Sequence, residues 1–366
     1  MWTKLQNTST VYVDRTVNKP TFFYPYYADS NGNNINNPLA DDYFIGRWFP
    51  MIQNGQVTMT AISGGQEIRV NFANTTTIGA SFYIDSWFTA NAGTMPIVAW
   101  NIDDGAWTRT QLGADGASGL ASLTFATGLT TGTHKLRIIF DGFKETAPRW
   151  VNGAGLHFVD FVKDSGGTIS PVTKRKKIVY VGDSITEGVL VLGGTVSQPS
   201  NNAAHLDYTH LSASALNCDP IIVAYGATGA VNGGNGGVPA TKDNLFYYKS
   251  GFPVVIDESP SLFVINIGTN DSGQTDSTFI PAYQAIIDAI NAKYSTIKIL
   301  CTNTFGGYKA SAISQVVDAN QPNCYLVDTA SWGVIEAGGG GLHPNSAGHQ
   351  LASDNLVQFI NTRNLI

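Results

Sequence analysis

The hydrophobic patterning of this chain changes period near residue 170, and that change limits the fold more than any other feature of its 366 residues. Before it, residues 56–62, 67–72 and 134–140 alternate polar and apolar with period two, the pattern of strands that bury one face. Gly-Gly pairs, Asp104-Gly105 and Thr130-Thr131-Gly132-Thr133 punctuate these runs as turns do. No stretch in this half carries an amphipathic helical stripe. Many short strands without helical interludes predict a β-sandwich, jelly-roll-like, over residues 1–168. Residues 165–172 read as a linker, and the basic run Lys174-Arg175-Lys176-Lys177 as its solvated lead-out. After it, residues 177–181, 220–224, 261–267, 297–301 and 324–328 are continuous apolar runs, as in strands buried on both faces. Phe279, Tyr283, Ile286, Ile287, Ile290 and Tyr294 fall on one helical stripe, and Leu351, Asn355, Leu356 and Phe359 predict a closing helix. Residues 169–366 therefore predict an α/β fold with a doubly wound parallel sheet, whose site lies at the carboxyl ends of its strands.

Composition removes several function classes. A net charge of −6 argues against the basic face that nucleic acid requires. No run approaches eighteen apolar residues, so no membrane span is expected. The N-terminal Met1-Trp2-Thr3-Lys4-Leu5-Gln6-Asn7 lacks the basic-then-apolar order of a signal peptide. Either the chain is not exported by that route, or the sequence starts downstream of such a segment. The low charge and abundant Gly, Asn and Thr nevertheless suit an extracellular, surface or phage-particle protein. Cys218, Cys301 and Cys324 are an odd set without CxxC spacing and read as buried thiols. The six histidines form no HExxH pair, so neither a metal nor another cofactor is expected.

The chemistry gathers after the strands. Strand 177–181 runs into Gly182-Asp183-Ser184-Ile185-Thr186-Glu187-Gly188, which puts a hydroxyl in a tight turn between a buried strand and a helix. A nucleophile needs that placement, although the same residues also make good cap chemistry. Past strand 220–224 comes Tyr225-Gly226-Ala227-Thr228-Gly229-Ala230, past Ile267 comes Gly268-Thr269-Asn270-Asp271, and ahead of the last helix stands Gly341-Leu342-His343-Pro344. A parallel sheet gathers such loops at one edge. A hydroxyl, a glycine N–H, a side-chain amide and an imidazole together meet the requirements of acyl transfer.

These four blocks, in this order over residues 177 to about 360, resemble the SGNH (GDSL-type) hydrolase family. The resemblance implies a flavodoxin-like sheet, Ser184 as nucleophile, and His343 as its general base. It also implies an oxyanion hole from the N–H groups of Ser184 and Gly229 and the Asn270 side chain. Gly226 competes with Gly229 for the second block. Asn donates without competing for the Ser proton, and Gly admits a close backbone approach.

One departure stands out. The family usually carries an Asp three residues before the His, where this chain has Gly340. Two groups could orient His343 instead: a backbone carbonyl of the glycine run, at Gly340, giving a Ser–His dyad, or the Asp328 carboxylate. The carbonyl is favoured, because four glycines give the backbone freedom beside the His, and some carbohydrate esterases of family two use a dyad. That subgroup is similar in architecture too, with a β-sandwich ahead of an SGNH domain and a looser likeness at Gly46-Arg47-Trp48 and at residues 132–138. It implies O-deacetylation, with an acylated carbohydrate as the partner; the alternatives are a glycan-binding, phage-tail or surface module whose SGNH domain is weakly active or inactive, and a lipase-like or thioesterase member acting on acyl esters. Asp183 and Trp332 are candidate substrate contacts, Trp332 being either pocket wall or core. Six of the seven Trp (2, 48, 87, 100, 107 and 150) lie in the front half and read as core more readily than as sugar platforms. Residues 188–194, the one apolar candidate for a lipid slot, read equally as a loop packed on the sheet edge.

Overall fold

The computed structural model describes residues 43–53, 55–113, 118–254, 260–337 and 341–366. Among them, the front half contains strands β1 (Phe44–Ile45), β2 (Phe49–Gln53), β3 (Gln56–Ala61), β4 (Glu67–Ala73), β5 (Ile78–Ile84), β6 (Ile97–Ile102), β7 (Thr108–Gln111), β8 (Gly119–Ala126), β9 (His134–Gly142), β10 (Leu156–Lys163) and β11 (Thr168–Pro171). Single helical turns α1 (Ser86–Ala90) and α2 (Arg149–Asn152) interrupt them. The strands form two antiparallel sheets, β1-β4-β9-β6-β7 with β11 also on β4, and β2-β3-β10-β5-β8. Ile68, Val70 and Phe72 of β4 and Leu136, Ile138 and Phe140 of β9 meet Ala80 and Phe82 of β5 and Leu156 and Phe158 of β10 in one core. The expected sandwich is present.

Two details differ from the expectation. The segment read as a linker is partly strand: Thr168–Pro171 pairs with β4, and Ile169 packs against the sandwich core. Glu67 and Arg69 alternate away from that core yet are also buried, because the second half of the chain covers the outer face of β4. There the Arg69 guanidinium bridges Glu67 (2.9 Å) and Asp219 (2.7 Å), and Arg137 reaches Glu67 at 2.6 Å. The core reading of the tryptophans fits Trp48 and Trp150, which are buried, and Trp87 and Trp100, which pack on the sandwich core. Trp107 instead lies beneath the Arg137 guanidinium, 5.0 Å from its ring centre; Trp2 falls outside the described residues.

The second half holds β12 (Lys176–Gly182), β13 (Cys218–Ala224), a small hairpin of β14 (Tyr247–Lys249) and β15 (Phe252–Pro253), β16 (Leu262–Asn266), β17 (Lys298–Thr302) and β18 (Cys324–Val327). Its helices are α3 (Ser184–Glu187), α4 (Tyr208–Ala215), α5 (Thr241–Asn244), α6 (Asp276–Lys293), α7 (Ala310–Ala319), α8 (Val334–Ala337) and α9 (Ser346–Thr362). The strands form an all-parallel sheet in the order β13-β12-β16-β17-β18. Both faces are covered, as the unbroken apolar runs require. Phe279, Tyr283, Ile286, Ile287 and Ile290 of α6 join α7 in the core on one face, and α4 and α9 close the other. In α9 the buried face runs through His349, Ala352, Leu356 and Ile360, and Leu351 and Phe359 are only partly covered. The three cysteines are free and buried. The apolar loop after α3 is packed: Val189 and Val191 are buried, Val189 within the sandwich core, and Leu192 is exposed.

Candidate active site

Parallel register sets three loops side by side. Gly182 at the end of β12 is level with Ala224 of β13 and Asn266 of β16. The strand order reverses here, where an open α/β sheet leaves a crevice beyond its carboxyl ends. The Asp183 carboxylate caps α3 by accepting from the Ile185 N–H at 3.0 Å. That cap makes Ser184 the first helical residue, whose N–H has no carbonyl to bond within the helix. Gly188 ends the turn at φ +84°, a left-handed conformation that glycine adopts without strain.

His343 Nε2 lies 2.8 Å from Ser184 Oγ. With the proton on Nδ1, Nε2 accepts the hydroxyl hydrogen. The imidazole is fixed two residues ahead of Asn345, whose side chain caps α9 by accepting from Ala347 and Gly348 N–H at 3.0 and 3.1 Å. Burial holds His343 below its ordinary value, against the opposing pull of the Glu145 carboxylate. A base kept neutral in this way is ready to accept a proton.

Asn270 sits in a turn after β16, and its amide nitrogen reaches Thr228 O (3.0 Å) and Asp183 Oδ2 (3.2 Å). The neighbouring Asp271 carboxylate accepts from the N–H groups of Ala230 (2.6 Å), Val231 (3.2 Å) and Asn232 (3.3 Å). A Cβ on Gly229 would lie 2.6 Å from Asp271 Cγ, so this close approach requires glycine. The Gly229 N–H, expected to face the site, instead donates to Asn232 O at 2.9 Å. The Gly226 N–H donates to Glu187 Oε2 at 3.0 Å.

The remaining candidates fall elsewhere. Asp183 is fully buried and committed to Ile185 and Asn270, so it is no surface for substrate. Burial pushes it up to about 7. Trp332 packs against the core near Phe305, ring centres 6.2 Å apart, which is the core alternative. The exposed Asp328 caps its own strand end, accepting from Asn303 Nδ2 (2.9 Å) and Ala330 N–H (3.0 Å). Among the described residues it makes no hydrogen bond to His343. Gly340 lies outside them. Among the described residues, no group of three or more His, Cys, Asp or Glu is arranged to hold a metal ion.

Sequence reasoning passed over three residues that the fold brings to this edge. Glu187, on the far end of α3, is buried and paired with the Arg149 guanidinium, which also donates to Glu145 O (3.2 Å) and Ile62 O (3.2 Å). Glu187 accepts as well from Gly64 N–H at 3.2 Å. The sandwich thus grips the turn that carries Ser184. The available signal was a carboxylate at position 187 in a segment that must be buried.

Residues 180–351 match the GDSL-like Lipase/Acylhydrolase family. No curated protein sequence matches the chain significantly. Among solved structures, an active-site mutant of a family two carbohydrate esterase from Clostridium thermocellum aligns with TM-score 0.70 at 20% identity, covering 88% of this chain and 98% of that one. A family two carbohydrate esterase from Cellvibrio japonicus aligns with TM-score 0.68 at 18% identity, covering 89% and 97%. An acetyl xylan esterase from the rumen bacterium Butyrivibrio proteoclasticus gives TM-score 0.68 at 17% identity, covering 90% and 98%. The parallel-sheet half thus carries the match to the GDSL-like Lipase/Acylhydrolase family, and the chain as a whole has the two-domain fold of the family two carbohydrate esterases.

Proposed function

We propose that this chain is a serine esterase that removes acetyl groups from a carbohydrate through a Ser184–His343 dyad. The observation that carries the reading is the 2.8 Å contact of His343 Nε2 with Ser184 Oγ at the carboxyl edge of the sheet. In this scheme Ser184 Oγ attacks the acyl carbon while its proton passes to His343 Nε2. The imidazolium returns that proton to the sugar oxygen as its bond to the acyl carbon breaks. Water, deprotonated by the same imidazole, then releases acetate and restores Ser184. The oxyanion is held by the Ser184 N–H at the start of α3 and by Asn270 Nδ2, one of whose hydrogens must leave Thr228 O or Asp183 Oδ2 to reach it. Gly229 serves mainly by lacking a side chain, and its N–H joins the hole only on leaving Asn232 O.

In this reading His343 works without a triad Asp, since Asp328 is engaged at its own strand end; Gly340 lies outside the described residues. The domain division at residue 168 is best moved to Pro171, the end of β11. Carbohydrate as the substrate class is supported by the relatives: a Clostridium thermocellum family two esterase is described in complex with cellohexaose, and the Butyrivibrio enzyme as an acetyl xylan esterase. The test is acetate release from acetylated xylan and p-nitrophenyl acetate, set against octanoate esters. Wild-type protein should favour the acetyl substrates, and Ser184→Ala should abolish turnover while keeping the fold. Activity retained in Ser184→Ala, or a preference for octanoate, would overturn the reading.

A further inference from the structure

A carboxylate of the sandwich, Glu145 on the loop between β9 and α2, reaches the carboxyl edge of the parallel sheet against Gly226. Gly226 lies two residues beyond the partner of Gly182 in the sheet register, and Ser184 two residues beyond Gly182 itself. The Gly226 N–H donates to Glu187 Oε2 at 3.0 Å, on the helix that Ser184 opens. The Glu145 carboxyl occupies the space where a Gly226 side chain would stand, so that a Cβ there would overlap it. Its loop is anchored from behind, because Arg149 donates to Glu145 O at 3.2 Å while paired with Glu187 of α3.

We propose that Glu145 is a positioning residue for His343, supplying from the sandwich the negative charge that the missing Asp would have brought to the imidazolium. This deepens the acetylesterase reading and rests on it for the catalytic consequence. The surrounding charges leave Glu145 that role. The Glu187 carboxylate is paired with Arg149, and Asp271 is held by three N–H groups. Asp183 is pushed up to about 7 by burial, so its charge is incomplete at neutral pH. His349, which faces His343 from α9, is pushed down to about 3 by burial and stays neutral. The Glu145 carboxylate is only half-buried and has no ion-pair partner among the described residues, and it opposes the burial that holds His343 down. An anion beside a base favours its protonated form, which is the form His343 takes as Ser184 attacks.

The test follows the imidazole directly. In full-length Ser184→Ala protein, the His343 ring resonance, assigned with His343→Gln, is titrated by NMR with and without Glu145→Gln. Loss of the carboxylate should move the His343 titration to lower pH, and Glu145→Asp should keep it near the parent. In the Ser184-containing protein, Glu145→Gln should move the acidic limb of kcat/KM to lower pH and reduce the kcat plateau about three- to tenfold, with KM little changed. The variant then loses least at acid pH, a dependence that simple loosening of the loop would not produce. A His343 titration that does not move, or a loss confined to KM, overturns the proposal. If the titration moves but the wild type hydrolyses no acetyl ester, the electrostatic role stands and the acetylesterase reading alone falls.

Discussion

Removing the Arg149 guanidinium tests how far the sandwich holds the reactive turn in place. Arg149 and Glu187 are both essentially inaccessible to water, and their pairing is supplemented by bonds to Ile62 O and Glu145 O. In Arg149→Met the methionine fills much of the stem's space, but Glu187 keeps only the N–H groups of Gly64 (3.2 Å) and Gly226 (3.0 Å). Breaking a buried pair in this way costs about 3–5 kcal/mol, because one charge is left without its partner. At about 2 °C per kcal/mol for a chain of this size, the melting temperature should fall by about 6–10 °C. The loss should depend on pH with a definite sign. Burial already raises Glu187 in the folded protein, so its contribution is fully present below its unfolded value near 4.3 and is lost as pH rises through the folded one. Without the guanidinium the folded value climbs further, so the variant should lose more stability at pH 8 than at pH 5. Thermal melts followed by tryptophan fluorescence at both pH values measure this. Arg149→Met combined with Glu187→Gln should recover a large part of the loss, since no charge is then buried. A fall under 1 kcal/mol, a larger loss at pH 5, or no recovery in the double variant would refute the reasoning.

Three further outcomes are expected. Asn270→Ala should lower kcat by about 10²–10³ with little change in KM, since an oxyanion donor acts on charge that develops in the transition state; steady-state kinetics on p-nitrophenyl acetate separate the two. Asp328→Asn should cost less than about tenfold in kcat, because an amide oxygen can still accept from Ala330 N–H and Asn303; a loss near 10⁴ would instead make Asp328 the third catalytic residue. Gly229→Ala should destabilise by about 2–4 kcal/mol, because the new Cβ displaces the Asp271 carboxylate from three N–H groups; a thermal melt unchanged within a degree would show that the loop gives way at no cost.

Much of this arrangement was legible in one dimension because its cause is local. The period-two runs at 67–72 and 134–140 became β4 and β9, and the apolar runs after residue 177 became a sheet covered on both faces. The stripe of Phe279, Tyr283, Ile286, Ile287 and Ile290 faces inward as its spacing demands. Thr168–Pro171 was misread because its Gly/Ser neighbours mask a single inward Ile169, and a four-residue edge strand has too little alternation to register. Ser184, Asn270 and His343 could be singled out because each follows a strand or precedes a helix, the places that parallel topology gathers at one sheet edge. The Gly229 N–H could not be aimed from the sequence, since its direction depends on a bond to Asn232 inside the same loop.

The contribution of the sandwich was hidden for a different reason. Arg149 and Glu187 are separated by 38 residues, and Arg69 and Asp219 by 150. Glu187 apart, each sits in a segment whose own pattern gives no cause for a charge to be buried. A charge on the outer face of a two-sheet sandwich normally meets water, so Glu67 and Arg69 read as solvent-facing. They are buried because another face arrives there, and a desolvated charge tolerates that only with a partner. The pairings therefore mark where the two halves meet, and they meet at the reactive end of the sheet as well as along its edge: Glu187 belongs to the helix that Ser184 opens, and the guanidinium that neutralises it also fixes the backbone of Glu145. A missing Asp three residues before the His is a loss only if the second half must supply every charge around its own imidazole. With the sandwich anchored on the helix that Ser184 opens, the proposed role of Glu145 would let a carboxylate from the other half act on that imidazole, and would make the front of the chain part of the candidate site's electrostatics.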